Sequence, residues 1–235
     1  MVKQSENQPV PLQYLLPWFK GSVVCIFDTL NESNKKLRLN KRFLTGGPQK
    51  PKRLFMNKNI SRWNKLFLFC LGLFIAGAFS MKWMEPDLVY NNENISIFGL
   101  ELFYPREKII EILSGINEKV KIILGYHLSF DFIFMAGCYP GIACLCMMAM
   151  AKTKQPGLTK FLFVLACMQL FAWTFDIIEN FYLLKWLKQP VINNEFGFYH
   201  VVVYAKWIIA LSAAFMALSI LLINMLKKKP TKIVN

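Results

Sequence analysis

Apolar residues in this chain come in long blocks, and four of them reach the roughly 20 residues needed to cross a bilayer as a helix. The blocks occupy residues 65–81, 122–150, 160–186 and 198–226. The second and third exceed the minimum, so their helices should tilt or emerge among the headgroups. The pattern therefore predicts an all-α fold, a polytopic bundle of four transmembrane helices with a small extracytoplasmic cap at residues 82–121. Within the cap, residues 94–103 alternate loosely, with Ile95 and Ile97 on one face, as a short strand would. Pro105 then stands at a helix start with Glu107 in the first turn. Ile109, Ile110, Leu113 and Ile116 follow at helical spacing, predicting an amphipathic helix over residues 106–118 that lies on the bundle as a lid.

Charge orients this bundle. The 235 residues carry a formal net charge of +14, which in a soluble domain would raise nucleic acid as a partner. Here the basic residues gather before the first block, at Lys152 and Lys154, and at Lys227, Lys228 and Lys229. The loop after the first block instead holds Glu85, Asp87, Glu93, Glu101, Glu107, Glu111 and Glu118. Four spans with both termini cytoplasmic place every loop by the positive-inside rule, which implies a multi-pass protein of a bacterial inner membrane. Nucleic acid is excluded as a partner. Membrane lipids are the expected contact, with a second copy or a partner membrane protein as further candidates.

The flanks are less structured in pattern. Residues 1–55 are basic and turn-rich and read as a disordered extension, and Met56 makes a natural alternative start for a protein whose first span begins at residue 65. Residues 227–235 read as a basic cytoplasmic tail. None of the six cysteines falls in a loop assigned to the outside, so no disulfide framework is indicated. In the first block Gly72, Ala76 and Gly77 are small enough to let a neighbouring helix approach.

The third block holds the chemistry. Asp176, Glu179 and Asn180 are three and four residues apart, which puts them on one helix face inside a span. A charged side chain at mid-membrane costs about 2.5–3.5 kcal/mol on insertion scales, so such residues are functional candidates by default. Asp131 and Tyr139 in the second block and Lys206 in the fourth join them. Counted inward from one side of the membrane at about 1.5 Å per residue, Asp131, Asp176, Glu179 and Lys206 fall within a layer about 5 Å thick in its outer half. Lys206 can neutralise one carboxylate. Two carboxylates are then left over, and because close carboxylates resist joint ionisation at least one should be protonated or bound to a cation. The plainer alternative is a set of ion pairs that fixes helix register.

Two histidines are present, His127 and His200. His127 lies four residues before Asp131 on the same face, so His127, Asp131, Asp176 and Glu179 form a conceivable donor set for a divalent metal. His200 shares a face with Tyr204 and Trp207, away from Lys206, and points to the headgroup region. No nucleophile elbow, phosphate-binding loop, H-E-x-x-H pair or redox C-x-x-C occurs.

Pro105 ahead of an amphipathic helix, Asp131-Phe-Ile-Phe with Tyr139, the D-x-x-E-N motif of Asp176, Glu179 and Asn180, and Lys206-Trp207 together resemble a family of small bacterial four-span membrane proteins. The resemblance covers residues 56–226 and implies the fold and the candidate site, without an established activity. His127 and Asp131 are also similar to the arrangement in sterol isomerase-type membrane proteins, which the rest of the chain does not follow. The expected function is binding of a lipid, a small amphiphile or a cation. Asp131, Asp176 and Glu179 would form its charged side, Lys206 the counter-ion, and Asn180 and Tyr139 the hydrogen-bonding groups. Two alternatives stay open: an intramembrane enzyme acting on a lipid or isoprenoid, and a non-catalytic accessory or assembly subunit.

Overall fold

The computed structural model describes residues 52–226, with side chains from Ser61 onward. It contains five α-helices: α1 (Lys52–Met84), α2 (Arg106–Gly115), α3 (Glu118–Lys152), α4 (Pro156–Lys188) and α5 (Glu195–Leu226). All except α2 are long and apolar enough to cross a membrane, and the protein is a four-span helical membrane protein. α1 begins at Lys52, so residues 52–55 of the expected extension are helical. The remainder of that extension and the tail at 227–235 lie outside the described residues.

The four spans are not equivalent. α3, α4 and α5 pack on one another, whereas α1 lies against α3. Only 11% of the apolar window of α1 is buried, against 39% for α3. The contact that holds α1 is made by glycines. Gly77 lies so close to the backbone of Phe134 that a Cβ there would come within 2.9 Å of it. On the opposing helix, Gly137 faces the backbone of Phe74 and the carbonyl of Cys70, again with no room for a Cβ. The rings of Phe74 and Phe134 then meet with centroids 4.7 Å apart. Close backbone approach of this kind replaces the hydrophobic drive that is missing between helices in lipid. Of the three small residues expected at this contact only Gly77 serves it. Gly72 has nothing within 4 Å of its Cβ position and Ala76 is exposed, because both lie off the Cys70-Phe74-Gly77 stripe.

Between α1 and α3 the chain builds the cap. A 3₁₀ turn at Glu85–Asp87 leads into a two-stranded hairpin, β1 (Val89–Tyr90) and β2 (Glu93–Asn94), paired antiparallel as Val89 with Asn94 and Tyr90 with Glu93. Asn91 and Asn92 form its turn at φ of 50° and 64°, the left-handed backbone that a two-residue hairpin loop requires and asparagine tolerates. The expected strand over 94–103 is not formed beyond Asn94. Ser96 accepts a hydrogen bond from the Gly99 amide at 3.0 Å and so caps a helical segment that continues as a π-helical turn, Gly99–Phe103. That local cap outcompetes a strand with no neighbour to pair with. Pro105 occupies the N-cap position of α2 as its place in the sequence suggests, and the helix ends at Gly115, three residues short of expectation, where Tyr90 packs onto the glycine.

Burial follows three layers along the bundle. At the cap end, Ile109, Ile112 and Leu113 of α2 join Leu124, Leu128, Leu183, Trp186, Tyr199 and Val203 in one cluster, so α2 covers the ends of α3, α4 and α5. Met135, Tyr139, Ala172, Trp173 and Ala210 form a middle layer. Cys146, Ala149, Leu162, Leu165, Ala213 and Ala217 close the far end, beside the Thr153–Gln155 connection. Replacing Gly137 with Ala forces a Cβ into the backbone of α1, which should cost about 1–3 kcal/mol as overpacking does. Detergent-unfolding curves of the purified protein should show that loss, and the same exchange at Gly72 should leave them unchanged.

Candidate functional site

The site lies between the cap-end and middle layers, and its centre is the Lys206 ammonium. Lys206 is 5% exposed. Its Nζ lies 2.6 Å from Asp176 Oδ1, 2.5 Å from Glu179 Oε2 and 3.6 Å from Glu101 Oε2. Helical spacing explains the first two contacts, since Asp176 and Glu179 stack on the α4 face that meets α5. Tyr139 of α3 donates its phenol hydrogen to the other oxygen of Asp176 at 2.7 Å. Asp176 is thus held by an ammonium and a phenol from two different helices.

Asn180, the third member of the motif, turns to α3 and donates to Asp131 Oδ2 at 2.6 Å. Asp131 is therefore bound to the α3–α4 seam and is not among the carboxylates that touch Lys206. The six residues expected to bind or pair fall into two groups. Lys206, Asp176, Glu179 and Tyr139 make one, and Asp131 with Asn180 makes the other.

Glu101 was not expected there. It sits in the π-helical turn of the cap and dips its carboxylate toward Lys206, with a side chain 15% exposed. Tyr199 donates to the Leu100 carbonyl at 3.3 Å and Tyr204 to the Leu102 carbonyl at 3.4 Å, so α5 anchors the turn on both sides of the acid. One sequence signal could have marked it. Glu101 is the single charged side chain in the run Phe98-Gly-Leu-Glu-Leu-Phe-Tyr104. The Trp207 ring closes the wall at 5.5 Å from the Lys206 ammonium, within range for a cation–π contact.

The histidines take no part. His127 is buried, yet its Nδ1 has no hydrogen-bond partner. His200 is half-buried between Phe196 and Tyr204. Among the described residues no three His, Cys, Asp or Glu side chains are disposed to hold a metal ion, so the donor set of His127, Asp131, Asp176 and Glu179 is not assembled. The reason is geometric. The Lys206 ammonium pairs with both Asp176 and Glu179, and Asn180 holds Asp131.

Three carboxylates therefore share one buried ammonium, while Asp131 is held by Asn180. Buried ions in low dielectric are tolerated only when paired and hydrogen-bonded. Asp176 meets that condition and Asp131 has its amide. Glu179 is paired with the ammonium through Oε2, but neither of its oxygens has a hydrogen-bond partner although the residue is 1% exposed. In the cap, burial raises the Glu101 carboxyl above its ordinary range, and the negative charge of Asp176 adds to the effect while Lys206 and the Trp207 indole oppose it.

Comparison of the chain with family models, with curated proteins and with solved structures gives no match. The function must come from the site's own geometry.

Two outcomes follow from that geometry. Lys206→Met leaves Asp176 and Glu179 buried without a cation and should destabilise the protein by about 3–5 kcal/mol, as breaking a buried pair does, read as a lowered unfolding midpoint in detergent. Glu101 binds its proton more tightly in the closed cap than when exposed, so closure is strongest below the ordinary carboxyl range and weakens as pH rises through the raised value. Hydrogen exchange of residues 99–104, corrected for intrinsic rate, should speed up across that window. In Glu101→Gln the window should disappear.

Proposed function

We propose that the protein is a membrane-embedded binding protein whose acidic site takes a lipid, a small amphiphile or a cation. One observation carries this reading. Three carboxylates face a single ammonium, a surplus that a helix-registering ion pair does not need. Like-charged carboxylates at this separation cannot all stay ionised without further positive charge, and Glu179 Oε1 remains available to an incoming donor. The resemblance carried by Asp176, Glu179 and Asn180 to small four-span bacterial membrane proteins is consistent with the reading and adds no reaction to it.

In this proposal the protein resides in a bacterial inner membrane with both termini cytoplasmic, and the cap and site face outward. The distribution of charge supports that orientation. Lys152 and Lys154 occupy the turn at the end opposite the cap, while the cap carries the acidic loop. Lipids are its surroundings in any case, and a second copy or another membrane protein is a further candidate partner.

Native mass spectrometry of the detergent-purified protein beside Asp176→Asn and Tyr139→Phe tests the assignment. The parent should retain a bound molecule that Asp176→Asn, folded as judged by circular dichroism, holds about tenfold less well, equivalent to about 1.4 kcal/mol. Tyr139→Phe, which keeps the charge, should retain more of it. A parent that carries nothing, together with an Asp176→Asn variant that no longer folds, would assign the carboxylates to helix registry instead.

A further inference from the structure

Away from the acidic site, toward the Thr153–Gln155 end of the bundle, α1 and α3 bring two thiols together. Gly137, Gly141 and Cys144 recur along α3 at spacings of four and three, on one face of the helix. That face meets Cys70 of α1. A Cβ on Gly137 would come within 2.6 Å of the Cys70 carbonyl oxygen, and one on Gly141 within 3.4 Å of the Cys70 Cβ. One turn further on, the thiols of Cys70 and Cys144 hydrogen-bond to each other. The glycines set the two backbones close enough for side chains as short as cysteine to touch. A disulfide needs such closeness, with Cβ atoms about 3.5–4.5 Å apart.

Their neighbour Cys146 is engaged elsewhere, since its thiol donates to the Ala213 carbonyl of α5 at 3.8 Å. Cys70 and Cys144 are free thiols, each 2% exposed, within helices long and apolar enough to cross a membrane. Charged oxidants and charged thiol reductants do not enter hydrocarbon at useful cost. A reagent that exchanges electrons with this pair must therefore dissolve in the bilayer. It has a short way to come. Only 11% of the apolar window of α1 is buried, so a single lipid-facing helix stands between the pair and the hydrocarbon.

We propose that Cys70 and Cys144 form a dithiol–disulfide pair that a quinone oxidises within the membrane, joining α1 to α3. The thiolate is the reacting form of a cysteine, and a thiolate on either sulfur is held here by the S–H of the other. Both S–H bonds break and one S–S bond forms. The two electrons and two protons released convert the quinone to its hydroquinone, so no further reactant is needed. Water-soluble thiols would have to reach a sulfur to reverse the bond, and the same hydrocarbon keeps them out. The disulfide makes covalent an attachment that otherwise rests on backbone contact at Gly77 and Gly137. It uses none of the carboxylates and stands independently of the binding reading.

The test exposes the full-length protein, reduced and then freed of reductant in maltoside micelles, to one of two oxidants. Decylubiquinone is lipid-soluble, and its fully substituted ring leaves thiols no position for stable addition. Ferricyanide is charged and stays in water. Non-reducing peptide mapping reads which cysteines are joined. Decylubiquinone should link the peptides of Cys70 and Cys144 with loss of two hydrogens from the intact mass, about tenfold faster than ferricyanide does. Cys144→Ala should abolish that loss, and Cys146→Ala should leave it unchanged. Cys70→Ala stands in if Cys144→Ala does not fold, and the map of the parent needs no variant. Host membranes quenched in acid should already hold part of the protein in the linked form. Thiols that stay free after the quinone, a bond to any other cysteine, faster linkage by ferricyanide, or no linked form in host membranes would each overturn the proposal.

Discussion

One ammonium in a low-dielectric layer governs this structure. Burying Lys206 costs several kcal/mol unless carboxylates meet it with good geometry, and the bundle supplies them from two directions. Asp176 and Glu179 come from α4, and Glu101 comes down from the cap. This requirement sets the register of α5 against α4. It also sets the depth to which the cap turn sinks, because Glu101 cannot approach Lys206 unless Leu100 is buried beside it. The phenol of Tyr139 then ties α3 to the same carboxylate. Three helices and a loop share one electrostatic centre.

Acid exceeds base in that centre, where three carboxylates meet one lysine and the cap turn brings the third. On the proposed reading, that surplus is what keeps affinity for protons or cations. The α1–α3 contact is of a different kind. It rests on glycine backbones at Gly77 and Gly137, stands apart from the carboxylates, and attaches a largely lipid-exposed helix to a three-helix core.

Much of the site was legible in sequence because helical periodicity is regular. Asp176, Glu179 and Asn180 share a face by spacing alone, and counting residues inward from the block ends brought Asp131 and Lys206 to their depth. Rotation about each helix axis was harder to read. His127 and Asp131, four residues apart, were expected to act together, yet the imidazole Nδ1 is buried without a hydrogen-bond partner and the carboxylate is held by Asn180. Depth is set by residue number, whereas azimuth is set by which neighbour packs where. Glu101 was hidden for a related reason. It lies in a loop, where no period relates its position to a helix face.

The sequence by itself determined the number of spans, the acidic character of the connecting loop, the helix that opens after Pro105 and the identity of the residues at one membrane depth. These follow from block length, charge and 3.6-residue periodicity, all of which are local. Tertiary structure alone decided that Asn180 serves Asp131 while Lys206 serves Asp176, that α1 stands outside the core, and that a cap glutamate completes the site. Each of those depends on a contact between segments far apart in the chain, where the available partners, rather than local preference, select the geometry.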